Sequence, residues 1–151
     1  MTLLCLILAG GKSTRMGEDK ALLFDSVNTL TDILTSRDHR VIVACGGEER
    51  AVLFHAECWF DPEDSTSLGE VVHAFVQQHD EEIQLFPCDM YNLDKAAIEA
   101  ILTQPPGVPV DMNGQEQYTL ARIPRGRNLP ISKSLKHLFS ELSRNQMESL
   151  G

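Results

Sequence analysis

Short apolar runs alternate along this chain with segments in which apolar residues recur every three or four positions. The runs cover residues 2–8, 40–45, 56–61 and 82–89, and a glycine or an aspartate stands at or just after the end of each. Continuous runs of this length are typical of strands that are buried on both faces of a parallel sheet. A fifth run, residues 118–123, alternates between apolar and polar positions and predicts an edge or antiparallel strand.

The periodic segments lie between these runs and predict helices. Val27, Leu30, Ile33 and Leu34 follow the helical repeat of about 3.6 residues, as do the apolar residues within 68–76, 96–102 and 135–142. Asn92 is the expected N-cap of the third helix, which must end before Pro105. Residues 103–117 are expected to form a loop. The alternation predicts an α/β fold with a mostly parallel sheet and helices on both of its faces.

Length and composition narrow the class of protein. The 151 residues, 42% hydrophobic and 23% charged, are typical of one globular domain, which we expect to span residues 1–151. The net charge of -9 argues against a general nucleic-acid or anionic-membrane binder, because such surfaces are usually basic. The first apolar run is much shorter than the roughly 20 residues that span a bilayer, and it has no basic leader. We therefore expect a cytoplasmic protein that binds neither nucleic acid nor membrane.

The chain contains four cysteines, and no two of them have the C-x-x-C spacing of a zinc knuckle. Each of them lies in one of the predicted strands. We interpret all four as buried, reduced thiols in a cytoplasmic protein.

The loop after the first predicted strand concentrates glycines and cationic side chains. Gly11-Lys12-Ser13 has the ending of a P-loop, but the first glycine of that motif would be residue 6, which is Leu6. The spacing of a dinucleotide-binding loop fails as well, because Gly10 and Gly11 are adjacent. Paired glycines nevertheless let backbone amides approach an anion, and Arg15 and Lys20 add positive charge. The residues alone leave open a glycine turn with solvated charges.

Two motifs of the chain resemble those of a known family. They are Leu8-Ala9-Gly10-Gly11 with Arg15-Met16-Gly17 and Asp19-Lys20, and Pro87-Cys88-Asp89-Met90. This pair resembles the signatures of the molybdenum cofactor guanylyltransferases (MobA family), and residues 117–123 are similar to a third, weaker segment. The resemblance covers most of the chain and implies a Rossmann-like, three-layer nucleotidyltransferase fold. It also implies a chain that is short at its C-terminus, because the family's final strand and Asn-x-Asn-Thr-Pro segment would follow Gly151.

The resemblance also implies the residues of the site. Arg15 and Lys20 would hold the phosphates of the guanine nucleotide. Asp89 would bind Mg²⁺, and Asp61 would lie near the ribose. The first motif would contact the nucleotide through the backbones of Leu8, Ala9, Gly10 and Gly11. A carboxylate at the end of a buried strand also agrees with the preference of Mg²⁺ for carboxylate and phosphate oxygens. The alternatives are a helix cap at Asp89 and a turn before Pro62 at Asp61.

The implied reaction is transfer of GMP from GTP to molybdopterin with release of pyrophosphate. Adjacent glycines at positions 10 and 11 resemble the guanylyl branch, whereas related cytidylyltransferases tend to carry Ala-Ala-Gly. The alternatives are another nucleotidyltransferase of this fold, with CTP or a sugar phosphate as substrate, and a catalytically impaired nucleotide-binding partner. Other molybdenum cofactor biosynthesis proteins are expected partners, and association with one of them would favour the impaired partner over the enzyme.

A small basic cluster, Arg122, Arg125 and Arg127, is a further candidate. It has two interpretations, a solvated loop and a site that attracts the phosphate of a second substrate. The five histidines have no spacing that predicts a metal site.

Overall fold

The computed structural model describes residues 2–9, 26–63, 67–88, 95–126 and 128–147. The chain divides into two compact units. The first unit comprises Met1–Asp61 and Leu85–Asn92, and the second comprises Pro62–Gln84 and Leu93–Gly151. No helix among the described residues is long and apolar enough to cross a membrane.

The first unit is built on parallel strands. Its elements are β1 (Leu4–Leu8), helix α1 (Ser26–Ser36), β2 (Arg40–Gly46), a 3₁₀ helix (Glu48–Leu53), β3 (Glu57–Phe60) and the last three residues of β4 (Ile83–Pro87). β2 pairs in parallel with both β1 and β3. Every residue of β1 is buried, which confirms the prediction from its continuous apolar run.

The second unit contains most of the helical residues that the structure describes. Its elements are α2 (Leu68–Gln78), the first two residues of β4, α3 (Lys95–Thr103), β5 (Val108–Val110), a 3₁₀ helix (Tyr118–Leu120), β6 (Arg122–Ile123), α4 (Leu135–Leu138) and β7 (Arg144–Gln146). β6 is antiparallel to β4, and β5 is parallel to β7.

The strands form a five-stranded sheet in the order β3-β2-β1-β4-β6 and a two-stranded sheet of β5 and β7. The larger sheet is mixed and mostly parallel, with the antiparallel β6 at its edge. The predicted α/β class with a mostly parallel sheet is therefore confirmed. The edge position of residues 122–123 confirms the strand expected there, although only for those two residues.

Helix α2 shows how the local sequence defines an element. The hydroxyl of Ser67 accepts a hydrogen bond from the backbone N–H of Glu70 at 3.3 Å and donates one to the Glu70 carboxylate at 2.9 Å. This pairing satisfies a backbone donor at the start of the helix. Gly69 follows, and a Cβ there would lie 2.4 Å from the carbonyl oxygen of Ser132. Glycine is therefore required for the close approach of residues 132–133.

Three predictions about the later part of the chain are corrected. The expected loop, residues 103–117, contains strand β5, which is short and includes Pro109, so it gives no periodic signal. Residues 118–120 form a 3₁₀ helix instead of a strand. The last helix ends at Leu138 and is followed by β7, whose sequence is polar. The expected N-cap, Asn92, lies outside the described residues.

Candidate functional site

The carboxyl end of β1 is held firmly by β2. Leu8 is aligned with Ala44 in the parallel pairing, and the N–H of Ala9 donates to the carbonyl oxygen of Ala44 at 2.9 Å. Both Leu8 and Ala9 are buried. The two described residues of the first motif thus continue the sheet, and the chain enters the glycine loop from a fixed backbone.

Arg50 lies at this end of the strands and was not anticipated from the sequence. Its Nε donates to the carbonyl oxygen of Cys45 at 2.8 Å, and its Nη2 donates to that of Ala9 at 2.8 Å. The guanidinium carbon also lies 5.8 Å from the centre of the Phe54 ring, within cation–π range. One side chain therefore joins the carboxyl ends of β1 and β2 immediately before Gly10.

Asp61 follows β3 at the same end of the parallel strands. Its N–H donates to the carbonyl oxygen of Gly46 at 3.0 Å, which fixes its backbone. Its Oδ1 is buried and has no hydrogen-bond partner among the described residues. Burial raises the pKa of this carboxyl group above its ordinary value. Because a buried acceptor without a partner is costly, this oxygen is suited to receive a donor from a ligand.

The remaining predicted site residues, Gly10, Gly11, Arg15, Lys20 and Asp89, lie outside the described residues. Their roles stay predictions. These residues belong to segments 10–25 and 89–94. Ser26 follows the first of these segments and Cys88 precedes the second, and the hydroxyl of Ser26 donates to the carbonyl oxygen of Cys88 at 2.7 Å. The residue after the first segment therefore contacts the residue before Asp89.

The described residues contain no group of three or more histidine, cysteine, aspartate or glutamate side chains that is placed to hold a metal ion. The proposed magnesium ligand, Asp89, is not among them. All four cysteines are described and are free of disulfide bonds. Cys5 and Cys45 are buried as predicted, whereas Cys58 and Cys88 are only half-buried, so the prediction of burial was wrong for these two.

Arg122 of the basic cluster is neither solvated nor open to a phosphate, and Arg127 lies outside the described residues. The side chain of Arg122 is 1% exposed, and its guanidinium binds Glu82, Gln84 and the last carbonyl groups of α3. Arg125 is exposed and pairs with Asp80 at 3.2 Å. The sequence interpretation was wrong for Arg122, because the sequence does not show that the fold surrounds this side chain with buried hydrogen-bond acceptors.

A comparison with protein-family models gives a match over most of the chain. The sequence model of the MobA-like NTP transferase domain matches residues 5–145. A comparison with curated proteins gives no match.

Solved structures support the fold. A crystal structure of the protein Aq1419 from Aquifex aeolicus VF5 is similar with a TM-score of 0.73 and 17% identity, over 97% of this chain and 86% of that one. The crystal structure of Rv0371c from Mycobacterium tuberculosis H37Rv is similar with a TM-score of 0.62 and 15% identity, over 97% of this chain and 87% of that one. At these identities, the likeness concerns the fold alone.

Proposed function

The chain belongs to the MobA-like NTP transferase domain family and is therefore a nucleotidyltransferase, and we propose which nucleotidyl group it transfers and to which acceptor. The protein is a Mg²⁺-dependent guanylyltransferase that transfers GMP from GTP to molybdopterin and releases pyrophosphate. It works in the cytoplasm beside other molybdenum cofactor biosynthesis proteins. The whole chain, residues 1–151, serves as one nucleotidyltransferase domain in this proposal.

The observation that carries the proposal is the unpartnered carboxylate oxygen of Asp61 at the end of β3. In open α/β sheets, ligands bind outside the carboxyl ends of the strands. A ribose hydroxyl is a donor of the kind that this oxygen lacks, and binding it would remove the cost of leaving a buried acceptor unpaired. Asp61 is therefore assigned to the nucleoside.

The first motif supplies the phosphate contacts in this proposal. The backbones of Leu8, Ala9, Gly10 and Gly11 approach the nucleotide, and Arg15 and Lys20 neutralise the triphosphate. Leu8 and Ala9 support this role because their backbone is fixed by β2 and by Arg50. A rigid entry to the loop lowers the entropy that is lost when the loop closes on a ligand.

Asp89 is the proposed magnesium ligand, together with phosphate oxygens of the nucleotide. Carboxylate and phosphate oxygens are the ligands that Mg²⁺ prefers. When bound, the ion would neutralise charge on the phosphates and on the leaving pyrophosphate. The unpartnered oxygen of Asp61 supports an acidic, oxygen-rich site at the carboxyl ends of these strands.

Calorimetric titration with GTP and CTP, each with and without Mg²⁺, tests the proposal. The expected result is tighter binding of GTP, in a Mg²⁺-dependent manner, followed by pyrophosphate release when molybdopterin is added. A preference for CTP would assign the chain to another nucleotidyltransferase of this fold. Nucleotide binding without product would identify an impaired binding partner in cofactor assembly.

A matched pair of variants tests the magnesium ligand. Asp89→Asn is expected to abolish Mg²⁺-dependent turnover while the circular dichroism spectrum stays unchanged. Asp32→Asn removes an exposed carboxylate of α1, 69% accessible, and is the control for the change in charge. Normal turnover of Asp89→Asn with Mg²⁺ would contradict the assignment.

A further inference from the structure

A cavity of about 580 Å³ lies beside helix α2 in the second unit. Its volume is within the range of about 300–1,000 Å³ that is usual for the sites of small organic ligands. Both polar and apolar side chains line it, and all of them belong to the second unit. A few polar groups beside an apolar wall are the usual composition of a site that binds and orients a small molecule.

One wall of this cavity is a segment that is attached to α2 and to the residues just after it. The N–H of Gly69, in the first turn of α2, donates to the carbonyl oxygen of Lys133 at 3.2 Å. Arg125 pairs with Asp80, two residues after the helix, at 3.2 Å. Residues 128–131 lie between these two contacts along the chain and line the cavity. The cavity is therefore formed by the fold before any ligand binds.

The charge of the lining selects the kind of ligand. Glu141 is its one acidic residue, and among the described residues no lysine or arginine lines the cavity. Glu141 has other interactions, but a carboxylate has about four lone-pair positions and can accept a further donor. His73 and Gln77, one turn apart on α2, and Asn128 add hydrogen-bonding groups. Together with the net charge of -9, this lining favours a cation over an anion such as a nucleotide.

The apolar part of the lining is partly open to water. Leu129 is buried, whereas Pro130 is exposed and Ile131 is 80% exposed. A single exposed apolar residue is common on protein surfaces and has no meaning by itself. Here, however, Ile131 lines the same cavity as the carboxylate of Glu141. A ligand that covers Ile131 would remove this apolar surface from water, which favours binding.

We propose that this cavity binds a small organic cation with an apolar body, of the class of the arylalkylamines. The ammonium group of the ligand donates to the carboxylate of Glu141 and to the amide oxygen of Gln77 or Asn128. The apolar body packs against Leu129 and Ile131. The proposal concerns a second ligand and does not depend on the guanylyl transfer proposed above. The competing interpretation is a surface depression that is filled with water and selects no ligand.

Nuclear magnetic resonance titration of the isotope-labelled full-length protein separates these interpretations. Three probes share one apolar body and differ in charge at neutral pH: phenethylamine is a cation, phenethyl alcohol is neutral and hydrocinnamate is an anion. Phenethylamine should cause saturable shifts of the amide signals of the lining residues, with a Kd on the order of 1 mM for a ligand of this size. The alcohol and the anion should bind roughly tenfold more weakly or not at all.

Matched variants test the two halves of the cavity. Glu141→Gln should weaken the binding of phenethylamine roughly tenfold and leave that of the alcohol unchanged. Glu99→Gln is its control, because it removes an exposed carboxylate of α3 that does not line the cavity. Ile131→Ser should weaken the binding of phenethylamine roughly threefold. Val52→Ser is its control, because Val52 is 88% exposed and belongs to the first unit.

The wild-type protein alone already tests the proposal, so it does not depend on the folding of any variant. Equal affinities for the amine and the alcohol would overturn it, as would tighter binding of the anion. Shifts confined to residues outside the lining, or no saturable shift with phenethylamine, would identify a water-filled depression. An equal loss of affinity in Glu141→Gln and Glu99→Gln would show that only the net charge of the protein attracts the amine.

Discussion

Replacement of Arg122 by methionine tests whether a buried guanidinium stabilises the second unit. Its Nη1 donates to Glu82 at 2.8 Å and its Nε donates to the amide oxygen of Gln84 at 2.9 Å. Its Nη2 donates to the carbonyl oxygens of Leu102 and Ile101 at 2.8 and 3.1 Å. The side chain therefore connects β6 to β4 and to the end of α3. Methionine retains much of the aliphatic volume, so the change removes mainly these polar contacts.

The expected loss follows from what remains buried after the substitution. Removing one partner of a buried ion pair costs about 3–5 kcal/mol, because buried acceptors lose a charged donor. The Glu82 side chain is 32% exposed, so its carboxylate regains water, whereas the amide oxygen of the fully buried Gln84 keeps only the donor from Gln104 Nε2 at 2.9 Å. The arginine also no longer has to be desolvated, which offsets part of the loss. We therefore expect a loss of about 3 kcal/mol, a large part of a typical stability of about 5–15 kcal/mol.

Urea unfolding followed by far-ultraviolet circular dichroism measures this loss. A decrease of about 3 kcal/mol corresponds to a shift of the midpoint by about 1–3 M, because stability usually falls by about 1–3 kcal/mol per M of urea. Arg125→Met is the matched control, because Arg125 forms an exposed pair with Asp80 and should leave the midpoint unchanged. Equal midpoints for the two variants would refute the argument that the Arg122 contacts stabilise the second unit.

The remaining predictions concern three single positions. Gly69→Ala places a methyl group against the carbonyl oxygen of Ser132 and should destabilise the protein by about 1–3 kcal/mol, measured by thermal unfolding. Because the pKa of Asp61 is raised in the folded protein, the stability of the wild-type protein falls as the pH rises above 3.8, the ordinary pKa of this group. Asp61→Asn removes this loss, so in urea unfolding the variant should become more stable relative to wild type as the pH rises. The same variant should bind GTP more weakly by calorimetry. Arg50→Met frees the carbonyl oxygen of Ala9 and should weaken GTP binding by roughly tenfold, with Arg50→Lys restoring part of the loss.

Strands β1, β2 and β4 could be predicted because each is a mostly apolar run whose residues are mostly buried. Strand β3 follows a shorter run, and none of its four residues is buried. Strand β5 could not be predicted, since its three residues include a proline and pair with Arg144–Gln146, a polar segment far along the chain. Such a pair is stabilised by its tertiary surroundings and leaves no pattern in the sequence. The same limit explains Arg122, whose burial depends on acceptors contributed by β4 and α3.

The candidate site shows a similar division between what the sequence does and does not predict. Asp61 was predictable as a carboxylate that ends an apolar run, but its unpartnered oxygen required the fold. Arg50 gave no signal, because its partners Cys45 and Ala9 are backbone groups brought near it by the pairing of β1 and β2. Carbonyl oxygens at the carboxyl ends of parallel strands would repel a phosphate that approaches them. By binding two of these oxygens, Arg50 offsets their negative charge at the entry of the glycine loop, so it can favour an anionic ligand without contacting it.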